Sequence, residues 1–162
     1  MDENKVFLKW DEYEKIIDDI VKDIKEKFPN YENIQFIAIA RGGLTILNSI
    51  VYRLNTRNIG VIQVSMSDDN CNYDTNNTPI LMGEFYKEGM NDCILIDDLL
   101  FSGKSAEFAA NHLKDINKNV LGIYTLYICE ELQNEYLKNE NIYLYSPKTS
   151  SKDAWVVFPW DI

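Results

Sequence analysis

Residues 93–105, CILIDDLLFSGKS, bring together the groups best suited to chemistry. Asp97 and Asp98 close an apolar, strand-like run. Two adjacent carboxylates can accept hydrogen bonds from vicinal hydroxyls, or help hold a divalent ion between hydroxyls and phosphate. Gly103 permits close backbone approach, and the amides opening the helix that follows can cradle a phosphate. Ser102 and Ser105 add hydroxyl donors. The competing structural use is a helix cap supplied by Asp98 or Ser102. A Walker A loop fits poorly, because its first glycine would fall at Asp98.

A second group is Arg41-Gly42-Gly43, which follows the apolar run IAIA. Two glycines free backbone amides to face a ligand, and arginine offers a rigid fork for phosphate oxygens. Alone, this triplet serves equally well as a structural turn. Two phosphate-suited loops in one small chain suggest a ligand with two phosphate groups separated by a ribose, as in 5-phosphoribosyl-1-pyrophosphate (PRPP).

These loops need a scaffold that places both at one edge. Tyr13, Ile16, Ile17, Ile20, Val21, Ile24 and Phe28 recur every three or four residues, which predicts a helix over 10–28 ended by Pro29. Strands are expected at Ile34–Ala40, Ile59–Ser65, Cys93–Asp97, Val120–Ile128 and Ile142–Tyr145. Helices are expected at Leu44–Leu54, at Lys104–Ile116 with Phe108, Leu113 and Ile116 on its apolar side, and at Glu131–Lys138. Residues 66–80, rich in Asn, Asp and Thr, read as a mobile or irregular loop. Alternating strands and helices predict an α/β fold with a mainly parallel sheet covered on both faces. Ligands in such folds lie beyond the carboxyl ends of the strands, where both loops fall.

The chain of 162 residues suits one domain with a sizeable core. Its formal charge of -10 disfavours nucleic acid and anionic membranes as partners. No secretory signal or bilayer-spanning run is visible, so a cytoplasmic protein is expected. Cys71, Cys93 and Cys129 lack metal-ligand spacing, and Cys93 and Cys129 read as buried thiols. Ser49 has no partners for a nucleophilic triad. His112, the sole histidine, reads as a surface or packing residue. Trp10 is expected to pack the first helix and Trp160 to anchor the tail.

In order and spacing, IAIARGGL (37–44), CILIDDLLFSGKS (93–105) and WVVFPWD (155–161) resemble the type I phosphoribosyltransferases, in particular the bacterial xanthine–guanine and hypoxanthine branch. The resemblance implies a three-layer fold over residues 1–162 with a small C-terminal hood from about 129 onward. It implies that Asp97 and Asp98 bind the ribose hydroxyls and Mg²⁺, and that Ser102, Gly103, Lys104 and Ser105 bind the 5′-phosphate. Arg41, Gly42 and Gly43 would hold pyrophosphate, with a cis peptide at Arg41–Gly42. Residues 65–80 would close over PRPP. Trp155 would stack on a purine, backbone near Val156 would read its edge, and Asp161 would lie near base or metal. The implied reaction displaces pyrophosphate at the anomeric carbon by a ring nitrogen, with Arg41, Asp97 and Asp98 as the catalytic groups. The expected partners are PRPP and a nucleobase or nucleotide, with a homodimer or homotetramer as the possible assembly.

Two positions depart from the family pattern. Phe101 stands where an acidic residue commonly handles the purine ring proton, and phenylalanine accepts no proton. Cys129 stands where a lysine commonly reads the 6-oxo group, with Glu130 next. Asp98, Glu130 or Asp161 are alternative proton acceptors, and Lys148 or Lys152 alternative cations. A catalytically altered, PRPP- or nucleotide-binding regulatory protein is therefore the alternative to a transferase.

Overall fold

The computed structural model describes residues 4–66, 78–136 and 142–161. Strands β2 (Gln35–Ala40), β3 (Ile59–Ser65), β4 (Ile80–Phe85), β5 (Asp92–Leu100), β6 (Asn119–Cys129) and β7 (Tyr143–Tyr145) form the main sheet, in the order β4-β3-β2-β5-β6-β7. A short strand, β8 (Lys148–Ser150), pairs with the end of β6. All these pairings are parallel except β3 with β4. Every residue of β2 is buried, as expected for a parallel strand covered on both faces.

Helices α1 (Trp10–Lys27) and α2 (Gly43–Leu54) cover one face. The α1 stripe Tyr13, Ile16, Ile17, Ile20, Val21 and Ile24 is buried against Phe36, Ala38, Ile94 and Ile96. Asp11 and Glu12 in its first turn, with Lys25 and Lys27 in its last, suit the helix dipole. The Tyr13 hydroxyl lies 2.7 Å from Ser49 Oγ, so Ser49 joins the two helices. On the other face, α3 (Lys104–Asp115) packs Ala106, Ala109 and Leu113 against Ile37, Ile39, Cys93 and Leu95. The expected apolar side of α3 shifts accordingly. Ile116 is exposed beyond the helix end, and the half-buried Phe108 stacks on His112. His112 Nε2 meets Glu84 of β4 at 2.5 Å, a surface link.

Several elements differ from expectation. β4 extends the sheet by an antiparallel edge where no strand was expected. β5 runs three residues past Asp97, because β6 pairs with it as far as Leu100. The last helix, α4, spans Glu130–Tyr136, one residue earlier than expected at its start. β1 (Lys5–Phe7) and β9 (Trp155–Val157) form a separate two-stranded ribbon, so the N-terminus takes part in holding the C-terminal segment. The tail is pinned by aromatic contacts. Trp160 stacks on Phe158 with centroids 5.0 Å apart and meets Tyr13 and Trp10. The expected closing loop lies, over residues 67–77, outside the described residues, as does Cys71. Among the described residues no helix is long and apolar enough to cross a membrane.

Candidate active site

The β2–β5 ladder ends at the Ala38–Ile96 pair, whereas β5 continues to Leu100 beside β6. Beyond that point, the chain leaving β2 turns as Arg41–Gly43 toward Asp97 and Asp98. Strand order also reverses here, since β2 leads outward to β3 and β5 leads the other way to β6. Open α/β sheets form their ligand crevice at such a reversal.

The two loops touch more closely than side chains would allow. A Cβ on Gly42 would lie 2.2 Å from Asp98 Oδ2 and 2.5 Å from Oδ1. One on Gly43 would lie 2.3 Å from the Ile96 carbonyl oxygen. Close approach, rather than backbone conformation, requires glycine at 42, since its φ of -53° and ψ of -43° are open to any residue. The cis peptide is Ala40–Arg41, one bond before the expected Arg41–Gly42. Gly42 itself has helical dihedrals leading into α2.

Asp97 is 8% exposed, and its Oδ1 accepts the Asp98 N–H at 3.0 Å. Burial pushes the Asp97 carboxyl well above the usual range, and the charge of Asp98 adds to that. Burial also raises Asp98, against hydrogen bonds led by the Leu99 backbone, while the Asp161 carboxylate adds repulsion. Among the described residues no lysine or arginine pairs with either carboxylate. Two adjacent, desolvated oxygen donors without a cation fit a Mg²⁺ ion that draws its other ligands from water and phosphate. They do not form a closed protein cage, as no group of three or more ligating side chains occurs among the described residues.

The start of α3 supplies the complementary end. Gly103 has φ 72°, in the left-handed region that favours glycine. Glu107 N–H reaches the Gly103 carbonyl at 2.9 Å, while Lys104 N–H lies 3.4 Å from Ser102 Oγ. First-turn amides of a helix have no intrahelical acceptors, so the start of α3 is suited to an anion.

A cavity of about 530 Å³ joins these parts. Its wall takes Arg41, Gly42, Asp97, Asp98, Phe101, Ser102, Gly103, Ser105, Trp155 and Val156 from among the expected residues. Four others stand off the wall. Gly43 is packed beneath β5, and Lys104 is the first residue of α3. The buried Cys129 donates its thiol to Glu131 at 2.7 Å, and Asp161 accepts the Phe158 N–H at 2.8 Å. The alternative cations separate as well. Lys148 is held by Glu12 at 2.5 Å, whereas Lys152 lines the cavity. Asp153 and Val64 are among the wall residues that were not expected there. Asp153 had a signal, standing two residues before Trp155; Val64 had none beyond its place in β3.

A family model for the phosphoribosyl transferase domain matches residues 5–162. The chain belongs to the phosphoribosyl transferase family. Its three-layer α/β architecture is that of the family, whose general chemistry is PRPP-dependent phosphoribosyl transfer to a nucleobase-like substrate. The fold is similar to a purine phosphoribosyltransferase from Pyrococcus horikoshii, with a TM-score of 0.70 and 20% identity over 100% of this chain and 96% of that one. It is similar to the xanthine-guanine-hypoxanthine phosphoribosyltransferase of Helicobacter pylori, with a TM-score of 0.70 and 15% identity over 98% and 94% of the two chains. A hypothetical protein from Neisseria gonorrhoeae with bound ppGpp gives a TM-score of 0.72 and 20% identity over 98% and 90%. At these identities the likenesses establish this phosphoribosyl transferase's fold and not its acceptor. No curated protein matches the sequence.

Proposed function

We propose that the protein transfers the 5-phosphoribosyl group of PRPP to a purine-like base, with Mg²⁺ present and pyrophosphate released. One observation carries this reading. The Arg41–Gly42 backbone converges on Asp98 inside a cavity that Trp155 and Val156 line as well.

In this reading Ser102, Gly103, Lys104 and Ser105 hold the 5′-phosphate at the start of α3. Asp97 and Asp98 accept the ribose hydroxyls, and Arg41 with the Gly42 and Gly43 backbone holds pyrophosphate. Trp155 offers its ring face to the base, while backbone groups at Val156 meet the base edge. The bond from the anomeric carbon to pyrophosphate breaks as the bond to a ring nitrogen forms. Positive charge that develops on the ribose lies near two carboxylates, and the Arg41 guanidinium faces the negative charge that leaves. The ring proton cannot go to Phe101, and in this reading Asp153, which lines the cavity with Trp155, takes it. Mg²⁺, held with the substrate by Asp97 and Asp98, would neutralise the departing pyrophosphate.

The test is a panel of purine and pyrimidine bases with PRPP and Mg²⁺, followed by pyrophosphate and nucleotide formation. Turnover with a purine is expected. Folded protein that forms no nucleotide with any purine would overturn the purine assignment. A second reading, a nucleotide-binding regulatory protein without turnover, is favoured by Phe101 on the wall and by Cys129 tied to Glu131, which leave neither expected base-handling group in place. Nucleotide binding without turnover would support it.

A further inference from the structure

Trp155 and Val156 line the cavity, yet little packing fixes the Trp155 ring, which is 69% exposed. Its position depends on the backbone of β9. That strand has one partner among the described residues, β1. The register is Lys5 to Trp155, Val6 to Val156 and Phe7 to Val157. Trp155 N–H donates to the Asn4 carbonyl at 2.8 Å, and Leu8 N–H donates to the Val157 carbonyl at 2.9 Å. In a parallel ladder of this register, the N–H and C=O of Val6 bridge Trp155 and Val157. Leu8 is buried in the same cluster as Val156 and Phe158, which fixes the inner side of the ribbon to the core. Side chains alternate along a strand, so Phe7 and Trp155 fall on the opposite, outer side, and both rings are exposed.

We propose that β1 is a positioning element for the acceptor subsite, with Val6 as its central positioning residue. It acts by holding Trp155–Val157 extended on the cavity wall. The inference rests on the transferase reading above. It also predicts a division within the molecule, because the phosphoribosyl end is built from β2, β5 and α3 and makes no use of the ribbon.

Val6→Pro removes the central N–H of the ladder, and Val6→Ile keeps it. Binding of a purine nucleoside monophosphate and of PRPP with Mg²⁺ is measured by calorimetry for each variant, alongside acceptor and PRPP KM values. Val6→Pro is expected to weaken nucleotide binding and raise the acceptor KM about tenfold, with PRPP values unchanged. Val6→Ile is expected to behave as wild type. Combining Val6→Pro with Trp155→Ala should cost less than the sum of the two single losses, since both act through the Trp155 contact. Equal losses for nucleotide and PRPP, no loss in Val6→Pro, or full additivity with Trp155→Ala would overturn the proposal. Wild-type protein that binds neither ligand would instead overturn the transferase reading, and the role of β1 with it.

Discussion

Gly42→Ala tests the central contact of the site. The dihedrals of Gly42 suit alanine, and by conformational entropy alone the change would stabilise the fold by about 0.4–1 kcal/mol. The added methyl would nevertheless meet Asp98 Oδ2 at 2.2 Å, Cγ at 2.3 Å and Oδ1 at 2.5 Å. One of the two groups must move. If the Asp98 carboxylate swings away, two charge-assisted hydrogen bonds to ribose hydroxyls are lost at about 1.5–3 kcal/mol each. That is about 3–6 kcal/mol, and at about 1.4 kcal/mol per decade kcat/KM for PRPP should fall at least ~100-fold. Pyrophosphate release measures the rate, and a melting curve checks the fold. The decisive comparison is a cycle with Asp98→Ala, which removes the obstructing carboxylate. In that background Gly42→Ala should cost almost nothing in activity and leave stability equal or higher. A similar loss in both backgrounds would show that the methyl acts elsewhere, and the steric argument would fail.

Trp155→Ala should raise the acceptor KM by about 5- to 150-fold, the range for losing about 1–3 kcal/mol of base stacking. The melting midpoint should stay within about 2 °C, because the ring is mostly exposed. Asp23 accepts hydrogen bonds from Tyr124 at 2.7 Å and Tyr143 at 3.0 Å. Asp23→Ala should cost about 2–3 kcal/mol, or ~4–12 °C in melting midpoint. Burial first, and then the Asp23 hydrogen bond, push the Tyr143 phenol up to about 12 and raise Tyr124 as well. Folding therefore favours the neutral phenols. Their contribution is present below the unfolded phenol pKa of about 10 and is lost as pH rises toward 12. Parallel melting-versus-pH curves for wild type and Asp23→Ala across that window would contradict the assignment. Lys152→Met should raise the acceptor KM while Lys148→Met should not, since Lys148 is engaged by Glu12. The reverse order in steady-state kinetics would exchange their roles.

The elements read most faithfully were those whose neighbours impose a repeating pattern. β3 matches its expected span, Ile59–Ser65, and α1 buries the stripe read from its spacing. Two carboxylates interrupt the apolar run, so the sequence suggests that β5 ends at Asp97. It continues because Leu99 and Leu100 pair with Tyr127 and Ile128 of β6, a tertiary fact. β4 carries Gly83 and mostly exposed side chains, so neither alternation nor burial marked it as a strand. The β1–β9 ribbon joins three-residue strands from opposite ends of the chain, and no local period reports such a partner. At the site, residue types pointed to Arg41, Asp97, Asp98 and the start of α3. Distance alone separated Lys152 from Lys148 and moved Cys129 off the cavity wall.

The two ends of the cavity are held by different physics, and this bears on Phe101. The phosphoribosyl end depends on backbone meeting backbone or carboxylate, at Gly43 against Ile96 and at Gly42 against Asp98. A side chain added at either place would collide with main chain or with a proposed substrate ligand, so this end resists piecemeal change. The acceptor end depends on a three-residue ladder, an exposed indole and the exposed residues Lys152 and Asp153. Substitution there disturbs little of the core. A phenylalanine at 101 removes one polar contact on the wall while leaving the glycine contacts at the phosphoribosyl end as they are. On the transferase reading the departure at 101 therefore bears on which acceptor enters, whereas Cys129 stands off the wall. Phe101→Asp should change acceptor preference more than PRPP affinity.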